Sequence, residues 1–176
     1  MRSDGGGDRR PTRMTERGPT IIGLISDTHG LVRADVHRAL AGVSLVLHAG
    51  DVGGDEVLDE LALIAPVRAV IGNTDDPSDP RLSAEVVHET NGVSIHVSHG
   101  HELGSPTPIR LLARYPQTVL VYGHTHRQLV TRAEGRLVVN PGAAGQRRFN
   151  VAPSVALLTI ADGMADVQIV VLRDTA

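Results

Sequence analysis

The chain contains no cysteine. That excludes a disulfide framework and any thiolate metal site, and fits a reducing compartment. Lysine and tryptophan are also absent, so every cationic side chain other than histidine is an arginine. Only Tyr115, Tyr122 and Phe149 are aromatic, which leaves little on which unpaired bases would stack. The net charge is −3, whereas nucleic-acid-binding modules usually carry a basic excess; there is no strong nucleic-acid signal. No apolar run approaches the length of a membrane span, and the N-terminus lacks an apolar signal core. The expectation is a cytoplasmic protein with no membrane partner and a core of Val, Leu, Ile and Ala.

At 176 residues the chain is expected to form one domain. Residues 1–19 are almost devoid of apolar side chains and read as a disordered tail, with Met14 an alternative start; residues 20–176 make up the domain. The apolar run Thr20–Ile25 reads as a buried strand that ends in Ser-Asp-Thr-His-Gly. Val43–His48 is a second such strand and ends in Ala-Gly-Asp. Pro66–Ile71 is a third and ends in Gly-Asn. Helical segments over Arg33–Leu40 and Asp55–Ile64 separate them, which implies parallel pairing through right-handed crossovers. Beyond residue 83 the pattern changes. Asn91-Gly92, Glu134-Gly135 and Asp162-Gly163 each sit between apolar runs and mark hairpins. Pro108–Arg114 reads as a helix and Thr118–Tyr122 as a strand. The fold class is α/β: two packed mixed sheets with helices outside.

Polar clusters at the ends of these strands carry the chemistry. They are Asp27-Thr28-His29, Gly50-Asp51, Gly72-Asn73-Thr74-Asp75, His99-Gly100-His101 and Gly123-His124-Thr125-His126. Ligands in open α/β sheets gather at the carboxyl ends of strands, so clusters far apart in sequence are expected to share one pocket. Imidazole nitrogens together with carboxylate and amide oxygens suit Mn²⁺, Fe, Zn²⁺, Ni²⁺ or Co²⁺ better than Ca²⁺. Two such ions about 3.5–4 Å apart can share a carboxylate and a hydroxide. Their four positive charges exceed two carboxylates and one hydroxide, and a centre left net positive favours a phosphate anion.

In these motifs and their order the chain resembles the calcineurin-like metallophosphoesterases, which carry D-x-H, G-D, G-N-x-[DE], H-G-x and G-H-x-H. The match runs from about Thr20 to about Phe149, and Asn140-Pro141-Gly142 adds a likeness to the small bacterial and archaeal phosphodiesterases. The resemblance implies a four-layer α/β/β/α sandwich and a dinuclear site. Asp27, His29 and His126 would bind one metal, Asn73, His99 and His124 the other, and Asp51 would bridge them. The implied cofactors are two divalent ions, Mn²⁺ first among them, and the implied partner is a small phosphodiester. The oligomeric state stays open.

One departure matters. Many members carry a histidine after Gly-Asn that assists the leaving group, and here the position is Thr74. His101 either replaces that acid, alongside Asp51 in the catalytic set, or hydrogen-bonds a metal ligand. Arg147 and Arg148 follow the Asn-Pro-Gly turn and are expected to donate to phosphate oxygens. The expected activity is hydrolysis of a phosphodiester by a hydroxide activated between two metals. The alternative is a non-catalytic or weakly catalytic interaction scaffold on the same fold.

Overall fold

The computed structural model describes residues 18–147 and 150–173. Its first strand, β1 (Thr20–Ile25), shows how the layers arise. Side chains alternate across a strand, and here Ile22 and Leu24 face the second sheet while Ile25 faces helices. Both faces are apolar, so β1 is buried on both sides and sits inside its sheet. It pairs in parallel with β2 (Leu45–His48) and antiparallel with β10 (Ser154–Ala161). β3 (Val67–Val70) and the two-residue β4 (Leu82–Ser83) extend one side of this sheet. β11 (Met164–Val171) extends the other, for an order of β11-β10-β1-β2-β3-β4.

The second sheet has the order β5-β6-β7-β9-β8. Its strands are β5 (Val86–Thr90), β6 (Val93–Val97), β7 (Val119–Val121), β8 (Leu129–Ala133) and β9 (Arg136–Asn140). β6, β7 and β9 run parallel, and antiparallel β5 and β8 close the edges. Ile22, Leu24 and Leu47 of the first sheet meet Ile95, Val121 and Val139 of the second in the central core. α1 (Ala34–Ala39) and α2 (Asp55–Ala62) cover the outside of the first sheet through Val36, Val57, Leu58 and Leu61. α3 (Pro108–Arg114) covers the second through Leu111 and Leu112. The result is the expected α/β/β/α layering. No described helix is long and apolar enough to cross a membrane.

The three sequence-read hairpins form as type I′ turns. Asn91, Glu134 and Asp162 adopt φ of 47°, 54° and 52°, and the glycine after each is also left-handed, as that turn requires. β4 was not legible, because two residues carry no periodicity. It is defined by pairing in parallel with β3, Ala69 opposite Leu82. The apolar runs at residues 43–48 and 66–71 shorten to 45–48 and 67–70 in the ladder. The proposed tail falls on residues 1–19, of which 1–17 lie outside the described residues.

Candidate metal centre

The loops that leave β1, β2, β3, β6 and β7 at their carboxyl ends all open on one edge of the sandwich. They deliver Asp27 and His29, Asp51, Asn73, His99, and His124 and His126 respectively. The backbone is strained there. Among the described residues, nine non-glycine positions have positive φ, and Asp27, His29, Asp51, His124 and His126 are five of them. Outside glycine this region is sparsely populated and costs on the order of 1 kcal/mol or more per residue. The loops are held in it by cross-bonds. Asp27 N–H donates to Gly50 O and His29 N–H to Asp51 O, each at 3.0 Å. Two glycines make room: a Cβ on Gly72 would collide with the Asp51 backbone, and one on Gly123 with the Ser26 hydroxyl.

The side chains converge in two overlapping groups. In the first, ligand-type atoms of Asp27, His29, Asp51 and His126 all lie within 4.8 Å of one another. His126 Nε2 is 3.1 Å from Asp27 Oδ1 and 3.4 Å from His29 Nε2. In the second, Asn73 Oδ1 is 3.1 Å from His99 Nε2 and 3.0 Å from His124 Nδ1. Asp51 Oδ2 belongs to both, at 3.7 Å from His29 Nε2 and 3.4 Å from His99 Nε2. Ligands about 2.1 Å from one cation stand roughly 3.0 Å apart in an octahedral site and roughly 3.4 Å apart in a tetrahedral one. The observed separations fall at these values, except that from His29 Nε2 to Asp51 Oδ2, which is longer at 3.7 Å.

Proton bookkeeping supports a cation at this position. His99 Nδ1 donates to Ala49 O at 2.8 Å, so the neutral ring presents its Nε2 lone pair to two oxygens, Asn73 Oδ1 and Asp51 Oδ2. Lone pairs facing one another repel unless a proton or a metal lies between them. Burial lowers the His99 pKa, but the hydrogen bond to Asp51 and the charge of Asp27 outweigh it and raise the value. The same surroundings that favour a proton on this ring favour a cation beside it. Burial also pushes Asp51 up, yet the bonds from His99 and Thr74 N–H hold it below the usual carboxylate range. Burial and the neighbouring His99 lower His124. Asp27 Oδ1 is buried with no hydrogen-bond donor, an orphan that a metal would satisfy. A ligating imidazole that donates its other N–H to a backbone carbonyl, as His99 does, is the usual support for a metal.

Comparison with known proteins agrees with this geometry. Residues 21–163 match the calcineurin-like phosphoesterase superfamily domain. The chain belongs to that superfamily. A probable metallophosphoesterase of Methanothermobacter thermautotrophicus is 33% identical over 158 residues, 85% of this chain and 91% of that protein. A phosphodiesterase of Methanocaldococcus jannaschii is 27% identical over 139 residues, 69% of this chain and 82% of its own. The solved Vps29 of Entamoeba histolytica complexed with Zn²⁺ superposes with a TM-score of 0.68 at 25% identity, covering 86% of this chain and 99% of that one.

In this member of the superfamily several further residues hold the loops. Asp75 accepts from Gly53 N–H at 3.0 Å and from Gly72 N–H at 2.8 Å, tying the Asn73 loop to the Asp51 loop. In the sequence Asp75 is one more acid in a turn, and only the tertiary partner Gly53 reveals its role. Asn140, fully buried, donates to Gly123 O at 2.8 Å and Thr125 Oγ1 at 3.0 Å, and its Oδ1 accepts from Gly142 N–H at 2.9 Å. It clamps the turn that carries His124 and His126.

His48 is buried and structural, as its place in an apolar strand suggests. Its Nδ1 accepts from Gly50 N–H at 3.2 Å, so Nε2–H donates to Thr28 Oγ1 at 2.9 Å, and Thr28 donates onward to Val52 O at 2.8 Å. Burial lowers its pKa from 6.5 to about 4. The folded state therefore resists a proton that the unfolded chain accepts near 6.5. The stability contributed by neutral His48 is complete above that value and is lost as pH falls from 6.5 to 4. In urea titrations with chelator present, wild type is expected to lose about 2 kcal/mol more between pH 7 and pH 5 than His48→Gln. Equal losses in the two proteins would refute this account.

His101 lies in a 3₁₀ turn (His101–Leu103) beside the second group, its ring 5.3 Å from that of His99 and 6.4 Å from that of His124. Its Nδ1 is buried without a hydrogen-bond partner, so that nitrogen supports no metal ligand. Arg147 is exposed, two residues past Gly145, whose N–H donates to Asp27 O at 3.3 Å. Arg148 lies outside the described residues.

Proposed function

We propose that this protein is a divalent-metal-dependent phosphodiesterase that hydrolyses a small phosphodiester. The observation that carries the reading is Asp51 Oδ2, which stands within 3.7 Å of His29 Nε2 and 3.4 Å of His99 Nε2 and so is shared by both groups. Asp27, His29 and His126 would hold one cation, Asn73, His99 and His124 the other, and Asp51 would bridge them. A pair of divalent ions there supplies a water of lowered pKa and neutralises charge on the phosphoryl oxygens. Nitrogen and oxygen donors without thiolate suit Mn²⁺ best, with Fe, Zn²⁺, Ni²⁺ or Co²⁺ as alternatives. The M. jannaschii relative named a phosphodiesterase and the Zn²⁺ complex of Vps29 support this chemistry on this fold.

The chain's own contribution is electrostatic and geometric. Asn73 is a neutral ligand, so Asp27 and Asp51 alone oppose the cations and leave the centre attractive to a phosphate anion. Arg147, beyond the loop bonded to Asp27, would donate to a non-bridging phosphate oxygen. The test is hydrolysis of bis(4-nitrophenyl) phosphate by the purified protein, with bound metal measured in parallel. Turnover that requires added Mn²⁺ and stops with chelator is expected. Bound metal without turnover across a panel of diesters would move the reading to an interaction scaffold.

A further inference from the structure

The carboxylate of Glu102 is bonded to the peptide that follows His99. Its Oε2 accepts from the Gly100 N–H at 2.8 Å, and its Oε1 accepts from the Tyr115 hydroxyl at 3.0 Å. The Gly100 N–H belongs to the peptide that joins His99 to Gly100. Its orientation sets where the chain turns after His99 and where His101 is carried. Gly100 is left-handed, with φ of 96°, and a Cβ there would press on Pro106. The turn therefore has little room to relax in another direction.

Tyr115 is fixed in turn. It is buried, and its ring stacks on His96 with centroids 3.6 Å apart and planes 22° apart. His96 Nε2 lies 3.1 Å from Glu85 Oε2 at the start of the second sheet. The chain of contacts from Glu85 through His96 and Tyr115 to Glu102 thus runs from the sheet edge to the backbone amide after His99.

Resting on the phosphodiesterase reading, we infer that Glu102, held by Tyr115, is a positioning residue for the cation bound by Asn73, His99 and His124. Glu102 touches neither metal nor substrate. It acts through the His99–Gly100 peptide. Gln at this position keeps the shape but removes the charge: its oxygen still accepts the Gly100 N–H as a weaker, neutral bond, and its NH₂ donates to a Tyr115 hydroxyl that must turn round to accept. The charge-assisted hold on the turn is loosened.

The two halves of the centre differ in charge, and this makes the inference testable. The half with Asp27 and Asp51 offers two carboxylates and fills first. The half with Asn73, His99 and His124 offers only the shared Asp51 and fills second. The experiment titrates Mn²⁺ into metal-free full-length wild type, Glu102→Gln and Tyr115→Phe, and follows stoichiometry by calorimetry and tyrosine emission in parallel. With no tryptophan and two tyrosines, Tyr115 and Tyr122, the difference in emission between wild type and Tyr115→Phe isolates the Tyr115 contribution, which the adjoining Glu102 carboxylate is expected to quench.

In Glu102→Gln the second binding step is expected to weaken about 10–100-fold, as for other groups that orient metal ligands. The first step should stay at wild-type affinity, and emission should rise. Tyr115→Phe should weaken the same step by a smaller factor, and it decides the matter if Glu102→Gln does not fold. Unchanged affinities in both variants would overturn the inference, as would equal weakening of the two steps or a single wild-type cation that neither variant alters. Wild type that binds no Mn²⁺ would overturn the phosphodiesterase reading itself.

Discussion

Asp51→Asn is expected to lower Mn²⁺-stimulated hydrolysis of bis(4-nitrophenyl) phosphate by roughly three orders of magnitude or more. The two oxygens of Asp51 have different tasks. Oδ1 accepts the Thr74 N–H at 2.9 Å, and an asparagine oxygen can continue to do so. Oδ2 faces His29 Nε2 at 3.7 Å and His99 Nε2 at 3.4 Å. An NH₂ group there would present protons where a cation pair needs an anionic bridge. The substitution also removes one of only two carboxylates in the centre. The fold should survive, because Asn keeps the shape of a side chain that is 3% exposed, but the bonds that hold the Asp51 carboxyl below its usual range favour the anion and are weakened. Circular dichroism should match wild type, with melting in chelator somewhat lowered. His124→Ala, which empties one position of the second group, should also abolish turnover. Wild-type rates in Mn²⁺ for Asp51→Asn would remove the bridge from the account.

The pattern of what was legible follows from how local each signal is. Hairpins at Asn91-Gly92, Glu134-Gly135 and Asp162-Gly163 were readable because a turn's chemistry is contained in two residues. β1 and the helix α2 were readable from apolar runs and helical spacing. The convergence of the polar clusters was readable because each follows an apolar strand, and the carboxyl ends of parallel strands share an edge. What stayed hidden depends on partners far along the chain. Asp75 resembles any acid in a turn until Gly53 is found above it. Glu102 is an ordinary surface-type residue until Tyr115 approaches from a helix terminus. β4 exists only through its pairing with β3. The left-handed backbone at Asp27, His29, Asp51, His124 and His126 also had no local marker. Asp tolerates that region better than most residues, but a histidine does so only where the tertiary structure enforces it.

Substrate discrimination provides the second large effect. Diesters with a phenolic leaving group are expected to react about 10²–10⁴-fold faster, relative to alkyl phosphomonoesters, than they would with a well-placed general acid. The reason is Thr74. Its N–H is committed to Asp51 Oδ1, and its hydroxyl cannot protonate an alkoxide near neutral pH. A nitrophenolate departs without help, whereas an alkoxide needs a proton. The dependence of kcat/KM on leaving-group pKa should therefore be steep. Thr74 is exposed beside Asn73, so a longer side chain can reach outward without repacking the core. Thr74→His is expected to raise alkyl-ester turnover by about 10² while leaving 4-nitrophenyl esters nearly unchanged, flattening that dependence. A wild-type protein that already prefers unactivated monoesters would show that another group supplies the proton and that position 74 does not set the leaving-group range.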